Sequence, residues 1–335
     1  MLMDAVAPVT AAPQAVEAAA RAAEAAGYDG FGVPETRHDP FTQLVLAARV
    51  TSSITLQSAI AVAFARNPMN VAVLANDIQL ISAGRFQLGL GSQVRPHIER
   101  RFSMPWSHPA ARMEEFIGAI RAIWQAWATG EKLAFRGEFY HHTLMTDFFN
   151  PGPNPHGHPP VLLAAVGELM TKVAGRVADG ILCHAFTTEA YLRERTVPAL
   201  LAARGTLDGF ELSLPPFVVL GSDAAARSAA ETAVRAQIAF YGSTPAYKPV
   251  LELHGWGSLA DRLNELSRQH AWAEMGTLIS DDVLNTFAVA GSPEQIAAEL
   301  HRRFAGLVTR MSLDLPYAPE EEQVTATVAA LRALG

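Results

Sequence analysis

The feature of this sequence that most restricts its fold is the regular alternation of short apolar runs with helical segments. Twice, the end of a helical segment leads through Asp-Gly into a buried run, at Asp29-Gly30 and at Asp179-Gly180. Glycine suits both the exit from a helix and the turn into the next strand. The apolar runs lack strict alternation with polar residues, which is typical of parallel strands covered on both faces. The pattern therefore predicts repeated βα units.

Eight such runs occur along the 335 residues, with no linker between them. We assign strands to residues 2–8, 28–35, 54–62, 85–91, 160–166, the run beginning at Gly180, 216–221 and 309–315. A single domain over residues 1–335, folded as an α/β protein of the (β/α)8 TIM-barrel class, fits this count and length. Two stretches exceed the pattern, a loop insertion at about 129–159 and a helical insertion at about 243–290. Insertions of this kind commonly shape the C-terminal mouth of a barrel, where we expect them.

One helical segment carries a stripe of apolar residues at a spacing of three and four. The stripe consists of Met113, Phe116, Ile117, Ile120, Ile123, Trp124 and Trp127. Such spacing buries one face of a helix. We interpret these aromatic residues as core rather than as a cofactor-binding surface.

The composition limits the kinds of partner that the protein can bind. Half of the residues are hydrophobic and 18% are charged, which is typical of a well-buried enzyme. The formal net charge is −7 and no basic stripe is present, so we expect no nucleic-acid partner. Cys183 is the single cysteine, which excludes an intramolecular disulfide and a multi-cysteine metal site.

The N-terminal region carries no recognisable targeting signal. Its first basic residue is Arg21, so it lacks the positive start of a secretory signal, and no apolar stretch has the length of a membrane span. A lone cysteine also fits a reducing compartment. We therefore expect a cytoplasmic protein with no membrane partner.

Two glycines close the fourth strand, in the segment GRFQLGLGSQVRPH (residues 84–97). A dinucleotide-binding turn needs a third glycine and leads straight into a helix. Here Ser92 and Gln93 follow Gly91, and no helical pattern begins there. The segment is therefore not a nucleotide-binding turn. In a barrel, glycines at the end of a strand instead let a flat ring approach the backbone.

Polar side chains follow several of the predicted strands. In a barrel, active groups lie just beyond the C-terminal ends of strands, so we expect these residues around one mouth. They are Glu35, Arg37, His38 and Asp39 after strand two, Ser92, Gln93, Arg95 and His97 after strand four, Glu168 after strand five, and His184 after strand six. Strand three ends in the small residues of SAIAVA. Polar groups around a wall of small residues indicate a functional site.

Three segments of the chain resemble a known family. They are GFGVPETRHDPF, ITLQSAIAVAFARNPMNVAVLANDIQLISAGRFQLGLGSQ and PPVLLAAVGELMTKVAGRVADGILCHAF. These segments look like the luciferase-like (bacterial-luciferase) flavin and deazaflavin barrel family, and the resemblance runs from residue 2 to about residue 320. The segment LGLGSQVRPHIERRF is most similar to the branch assigned to the deazaflavin coenzyme F420. The resemblance also implies a homodimer.

The resemblance implies where the ring of the cofactor lies. In the family the ring packs on a bulge of strand three, often built with a non-prolyl cis peptide, which falls here at Ser58-Ala59 or at Ala59-Ile60. Ser92 and Gln93 match the strand-four positions that hydrogen-bond the pyrimidine edge or the side chain of the ring. Ser58, Ala59, Ile60, Ser92 and Gln93 are therefore candidate cofactor-binding residues.

The resemblance also implies a phosphate site and a departure from the usual pattern. Val166 and Gly167 match the family's segment whose backbone binds the cofactor phosphate, at the positive start of a helix. Many deazaflavin members have Gly-Gly-Pro or Gly-Pro in this phosphate-binding segment, whereas this chain continues with Glu168. A carboxylate that pointed inward there would repel a phosphate.

The catalytic group does not carry over directly from the family. Members that oxidise sugar phosphates have Asp-His after strand two, where this chain has Glu35-Thr36, and their acid in the strand-four loop has no match at Val94. Glu35 and His38 are our candidates for the group that handles the proton. Alternatively, these two residues anchor the loop together with Arg37.

The interpretation that follows is an oxidoreductase that transfers a hydride between F420 and a small organic substrate. An FMN-dependent monooxygenase on the same scaffold is the alternative, and a non-catalytic flavin-binding barrel is a more distant one. A metal-dependent hydrolase barrel would need His-x-His at the end of strand one, where this chain has MDAVAP. His141-His142 and His156-Gly157-His158 fall in a loop instead. We therefore expect no metal site.

Overall fold

In the computed structural model, which describes residues 1–10 and 12–335, the apolar runs form short parallel strands separated by helices. The elements up to the fifth barrel strand are β1 (Leu2–Val6), α1 (Val16–Ala25), β2 (Gly30–Val33), α2 (Pro40–Val50), β3 (Thr55–Ser58), β4 (Ala61–Val62), α3 (Pro68–Ile81), β5 (Phe86–Gly91), α4 (Pro109–Thr129), β6 (Phe135–Arg136), β7 (His141–His142) and β8 (Val161–Ala165).

The remaining elements include a long excursion between the last two barrel strands. They are α5 (Glu168–Val177), β9 (Gly180–Cys183), α6 (Glu189–Tyr191), α7 (Val197–Arg204), β10 (Glu211–Leu214), β11 (Phe217–Val219), α8 (Ala224–Gly242), α9 (Lys248–Leu253), α10 (Gly257–Arg268), α11 (Trp272–Thr277), α12 (Asp281–Phe287), β12 (Ala288–Ala290), α13 (Pro293–Phe304), β13 (Arg310–Met311) and α14 (Glu321–Ala333).

Eight strand positions close into a parallel barrel, as the sequence predicts. The order around the ring is β1, β2, β3 with β4, β5, β8, β9, β10 and β13, and β13 pairs with β1 to complete it. β3 and β4 are one strand divided by a cis peptide bond between Ala59 and Ile60, which is one of the two bonds that the family resemblance implies. The fold is thus a TIM barrel.

One strand differs from the prediction. The seventh barrel strand is β10, whereas the sequence places it at residues 216–221. That more apolar run forms β11, which pairs with β12 outside the barrel. The run is apolar because Phe217 and Val219 belong to a second hydrophobic core. Pro215 and Pro216 separate the two strands, since proline interrupts a hydrogen-bonded ladder.

The second hydrophobic core is built by the chain between β10 and α13. It takes in α8 and the helices at 243–290 that the sequence predicts as an insertion, together with residues that follow β9. Its largest buried members are Phe186, Phe217, Ile238, Leu263, Met275 and Phe287. This unit packs beyond the C-terminal ends of β9 and β10, so it forms one side of the barrel mouth.

Residues 129–159 pack along the outer helices. The carboxylate of Glu115 on α4 accepts the backbone N–H groups of Glu138, Phe139 and Tyr140. Further along, the amide of Asn154 donates to Asn76 on α3. The contacts of this segment therefore lie on the flank of the barrel.

The apolar stripe of α4 is buried, as the sequence predicts. All seven members are at most 2% exposed. The indole Nε1 of Trp124 donates to the carbonyl oxygen of Ala72 at 3.0 Å, and its ring stacks on His158. This face joins α4 to α3 and to the barrel wall.

A layer of polar side chains closes the amino-terminal half of the barrel. Arg310 on β13 pairs with Asp4 on β1 and lies 3.2 Å from a carboxylate oxygen of Glu211 on β10. Gln87 Nε2 donates to Glu211 at 3.1 Å, and Gln57 Nε2 donates to Gln87 at 2.9 Å. Because these side chains fill the interior, a ligand of the barrel has to enter from the carboxyl ends of the strands.

Candidate functional site

The mouth of the barrel has a floor made of glycine and alanine. A Cβ atom added to Gly91 would lie 2.8 Å from the side chain of Ile60 and 3.5 Å from the Cβ of Ala164. One added to Gly32 would lie 3.2 Å from the Cβ of Ala59. The neighbouring side chains of Ile60 and Ala59 occupy the space that a Cβ would need, so the glycines let strands two, three and four pack closely at this edge. The surface that results consists of backbone and short side chains, of the kind that a flat ring can contact.

The strand-three candidates have different roles at this floor. The hydroxyl of Ser58 donates to the carbonyl oxygen of Gly89 at 2.8 Å and accepts the N–H of Gly89 at 2.9 Å. Ser58 is fully buried, so its hydroxyl joins strands three and four. Ala59 and Ile60 form the cis bond next to Gly32 and Gly91. They are the two residues of this strand that border the floor.

Ser92 and Gln93 lie immediately beyond β5 and are half-buried. The Ser92 hydroxyl donates to the carbonyl oxygen of Gln93 at 3.1 Å. Gln93 has a positive φ of 60°, and its side-chain oxygen accepts the N–H of Val94 at 3.0 Å. Within the described residues, the side-chain nitrogen of Gln93 has no protein partner. It can therefore donate to a ligand at the edge of the floor.

The start of α5 offers backbone N–H groups to a ligand. Gly167 is the N-cap of this helix, and no side chain caps it. A Cβ atom at Gly167 would have nothing within 4 Å. A cavity of about 580 Å³ opens there, and Lys172 and Arg195 line it. Uncapped N–H groups at a helix start, with two cations nearby, fit an anionic group.

Glu168, which departs from the family pattern, lines the same cavity, as do the carboxylates Glu194 and Glu252. Its carboxylate lies 2.6 Å from the ammonium group of Lys172, and its side chain is 70% exposed. The hydrogen bond from Lys172 lowers the pKa of the Glu168 carboxyl, so it stays ionised. Its charge is countered at close range and faces solvent.

Glu35 holds the loop after β2 against strand three. Its Oε2 oxygen accepts the N–H of Val62 at 2.7 Å and a hydrogen bond from Arg66 at 2.6 Å. Its own N–H donates to the carbonyl oxygen of Ile60 at 3.2 Å. Arg66 also pairs with Asp39 at 2.7 Å. Glu35 thus anchors the loop after β2, which is one of the two roles that the sequence analysis leaves open for it, but the cation that pairs with it is Arg66 and not Arg37.

His38 differs from Glu35 in its surroundings. It lies in the same loop but is exposed. No hydrogen bond to its ring is found within the described part of the chain. The structure therefore does not join the two proton-transfer candidates to each other, and both assignments remain predictions.

The opposite side of the mouth carries His184, which the sequence analysis places after strand six, and three groups that it does not single out. His184 follows β9, and its ring lies 4.4 Å from that of Tyr241 and 4.8 Å from that of Tyr247. Asp314 follows β13 and pairs its backbone with Phe217. We call His184, Tyr241, Tyr247 and Asp314 the far wall. Its signals in the sequence are His184 at the end of strand six and the lone carboxylate within the apolar run of strand eight.

Burial changes the acidity of the far wall. It lowers the pKa of His184 to about 4 and raises the pKa of Asp314 to about 6. Burial, together with the charge of Asp314, raises the pKa of Tyr241 to about 12. The Nδ1 atom of His184 accepts the N–H of Phe186 at 3.0 Å, which assigns the ring proton to Nε2. Of these groups, Asp314 changes its charge nearest to neutral pH.

The histidines considered as metal ligands are spread over the flank. His141 and His142 form β7, and His158 stacks on Trp124. No group of three or more His, Cys, Asp or Glu side chains that could hold a metal ion occurs in residues 1–10 and 12–335. Over the same residues, no helix combines the length and the apolar character that crossing a membrane requires.

Comparison with known proteins finds one family along nearly the whole chain. The model of the luciferase-like monooxygenase family matches residues 3–310. The Mycobacterium tuberculosis protein named uncharacterized protein Rv1360 is 52% identical over 92% of this chain and 94% of its own length. A 5,10-methylenetetrahydromethanopterin reductase of Archaeoglobus fulgidus is 24% identical, over 90% of this chain and 89% of its own.

Solved structures share the fold at low sequence identity. The coenzyme F420 dependent tetrahydromethanopterin reductase of Methanopyrus kandleri aligns with a TM-score of 0.78 and 20% identity, covering 98% of this chain and 96% of its own. The EDTA monooxygenase of Chelativorans sp. BNC1 aligns with a TM-score of 0.72 and 15% identity, covering 100% and 94%. Both align over the barrel and the excursion together.

Proposed function

The chain belongs to the luciferase-like monooxygenase family, and we propose that it is an oxidoreductase that transfers a hydride between coenzyme F420 and a small organic substrate. Relatives of the chain include reductases and proteins named as F420-dependent, and also monooxygenases. F420 is our choice between the two cofactor types because the strand-four signature is most similar to the F420 branch and because a sequence relative that covers 92% of this chain is named as a putative coenzyme F420-dependent oxidoreductase.

The observation that carries this proposal is the low floor beside the uncapped start of α5. The floor between Ala59 and Gly91 would present backbone and small side chains to a flat ring, and Gln93 follows the same strand with an amide nitrogen that has no partner within the described residues. Val166 and Gly167 would hold the phosphate through backbone N–H groups, with Lys172 in the adjoining cavity. A deazaflavin, when bound, supplies two-electron hydride chemistry. The chain supplies the fixed surface that orients the ring.

The accompanying proton needs a group of the protein. His38 and Glu35 are the candidates from the sequence. Glu35 already accepts two hydrogen bonds, from Val62 and Arg66, which favours a structural role for its carboxylate. His38 is exposed and makes no hydrogen bond within the described part of the chain, so its ring is available to a substrate at the mouth.

Titration of the purified protein with F420 and, separately, with FMN tests the proposal. Isothermal calorimetry should show F420 binding at least tenfold more tightly, a difference of about 1.4 kcal/mol. Preferential binding of FMN would support the alternative, an FMN-dependent monooxygenase. Failure to bind either compound would overturn both proposals.

A further inference from the structure

Asp314 occupies a fixed position on the far wall, three residues beyond the end of β13. Its backbone N–H donates to the carbonyl oxygen of Pro216 at 2.9 Å, and its carbonyl oxygen accepts the N–H of Val218 at 3.2 Å. The hydroxyl of Tyr317 donates to the carbonyl oxygen of Val218 and accepts the N–H of Leu220. These bonds tie the segment after the last strand to β11. The carboxylate therefore stands on rigid backbone.

The side chain of Asp314 is half-buried, and nothing in the described part of the chain pairs with it. Its oxygens make no hydrogen bond or salt bridge there. The carboxylates of Asp4 and Glu35 differ, since Asp4 pairs with Arg310 and Glu35 pairs with Arg66. A partly desolvated carboxylate at a strand end that has no protein partner is available to act on a ligand.

The titratable groups around Asp314 do not compete with it as an acid or base near neutral pH. Tyr241 on α8 interacts with its charge, and Tyr247 and His184 pack on Tyr241. Both tyrosines stay protonated because burial raises the pKa of each. His184 stays neutral because burial lowers its pKa. Asp314 is the member of the far wall that can gain and lose a proton between pH 5 and 7.

We propose that Asp314 exchanges with the substrate the proton that accompanies hydride transfer. The inference rests on the proposed function, and its substrate class is a carbonyl compound or imine and the corresponding alcohol or amine. In the reducing direction, reduced F420 provides a hydride that bonds to the substrate carbon. The π electrons of the C=O or C=N bond move to the heteroatom. Asp314 gives its proton to that heteroatom and becomes a carboxylate, and oxidation is the reverse.

Asp314 lies on the opposite side of the mouth from the floor that is expected to hold the ring, so the proton would reach the substrate from the side away from the ring. The floor for the ring is formed by β2 to β8, and Asp314 stands across the mouth beside β10 and β13. A substrate between the two would have the ring on one face and the carboxyl group on the other. The rings of Phe217 and Tyr241 pack on each other with centroids 6.3 Å apart, and the charge of Asp314 raises the pKa of Tyr241, so the carboxyl group stands close to this aromatic pair.

The first test follows the Asp314 carboxyl by NMR in the full chain labelled with ¹³C at the aspartate carboxyl carbons. The variant Asp314→Asn identifies the resonance, which should titrate near pH 6 and move to higher pH when F420 covers the mouth. A midpoint near pH 4, or a midpoint that bound F420 leaves unchanged, would overturn the inference while the proposed function stands. If neither F420 nor FMN binds, the proposed function fails and the inference fails with it.

The second test measures a single turnover of bound reduced F420 with a panel of ketones and cyclic imines. For a compound that the parent reduces, Asp314→Asn should slow the step by 10²- to 10⁴-fold, with F420 affinity within twofold of the parent. Asp314→Glu should restore part of the rate. His38→Asn tests the competing candidate from the sequence, and a larger loss in it than in Asp314→Asn would overturn the inference and assign the proton to the strand-two loop.

Discussion

Arg66 Nη1 lies 2.6 Å from the Oε2 oxygen of Glu35, and this ion pair joins the loop after β2 to the turn after β4. The side chains are 15% and 7% exposed, so water screens the pair little. The same carboxylate accepts the N–H of Val62, immediately beyond the Ala59–Ile60 bond. The pair therefore fixes the strand that borders the floor of the site.

The variant Glu35→Gln should lose both stability and cofactor affinity. An amide removes the more buried of the two carboxylates that pair with Arg66 while Asp39 remains, so the loss in the free energy of unfolding should be about 2 kcal/mol, below the cost of a fully unpaired buried charge. Urea unfolding and F420 titration measure the two effects. Asp39→Asn is the control, because Asp39 is 45% exposed and asparagine still caps α2. Normal stability and affinity in Glu35→Gln, together with a slow hydride step, would restore Glu35 as the proton-transfer group.

Two substitutions at Gly167 should distinguish two effects on F420 binding, the steric effect of a side chain at the start of α5 and the effect of a negative charge there. Gly167→Ala adds a methyl group where nothing lies within 4 Å, so the fold and F420 affinity should change little. Gly167→Glu places a carboxylate beside the expected phosphate and should weaken F420 binding at least tenfold at an unchanged melting temperature. Equal affinity in both variants would show that the phosphate does not bind there.

Trp124→Ala should destabilise the protein without changing the chemistry of folded molecules. The indole is 1% exposed and donates a hydrogen bond to Ala72, so its removal should cost about 3–5 kcal/mol. Denaturant unfolding measures this loss. Trp272→Ala, at a tryptophan that is 47% exposed, should cost less than about 1 kcal/mol. A stable Trp124→Ala protein that had lost turnover would contradict the core assignment.

The outer face of α3 is where we propose that the expected homodimer forms. Val73, Leu74, Leu80 and Ile81 on this helix are 37–47% exposed and adjoin one another along it. A two-fold dimer pairs such a face with its own copy. Leu80→Glu should therefore weaken dimerisation at least tenfold in sedimentation velocity, whereas Leu144→Glu, on the 77% exposed Leu144, should not. A parent that sediments as a monomer would refute the proposal.

The stability of Asp314→Asn should depend on pH in a defined direction. Burial raises the pKa of Asp314 from 3.8 to about 6, so the folded state prefers the protonated carboxyl. The parent therefore loses stability as the pH rises from about 4 to about 6, and the variant does not. The variant should gain about 2–3 kcal/mol over the parent at pH 8 relative to pH 4. The opposite sign in urea unfolding would mean that the carboxylate has a partner.

Patterns of local spacing predict much of this structure. The buried stripe of α4 and the eight parallel strand positions both follow from the periodicity of apolar residues, which depends on neighbours within a few positions. The strand at residues 216–221 shows the limit of this reasoning. An apolar run predicts that a segment is buried, but it does not predict in which hydrophobic core the segment lies. The apolar run at residues 216–221 forms β11, which lies in the second core.

Long-range pairing explains what the sequence did not predict about the site. The anchor of Glu35 comes from Arg66, 31 positions later, and the spacing of charges does not indicate that pair. Asp314 lies at the mouth because it follows β13, and the excursion after β10 folds back and places Tyr241 beside it. Local patterns identify residues at strand ends, but tertiary packing decides which of them stays unpaired.

The contact between Asp4 and Arg310 joins positions 306 residues apart, and this has a consequence for how the chain is made. β1 has no partner on one edge until β13 has been synthesised. A nascent chain therefore exposes an open strand edge, together with the unpaired charge of Asp4, until β13 has been made. Molecules truncated before residue 310 cannot close, which makes them targets for chaperones and proteases.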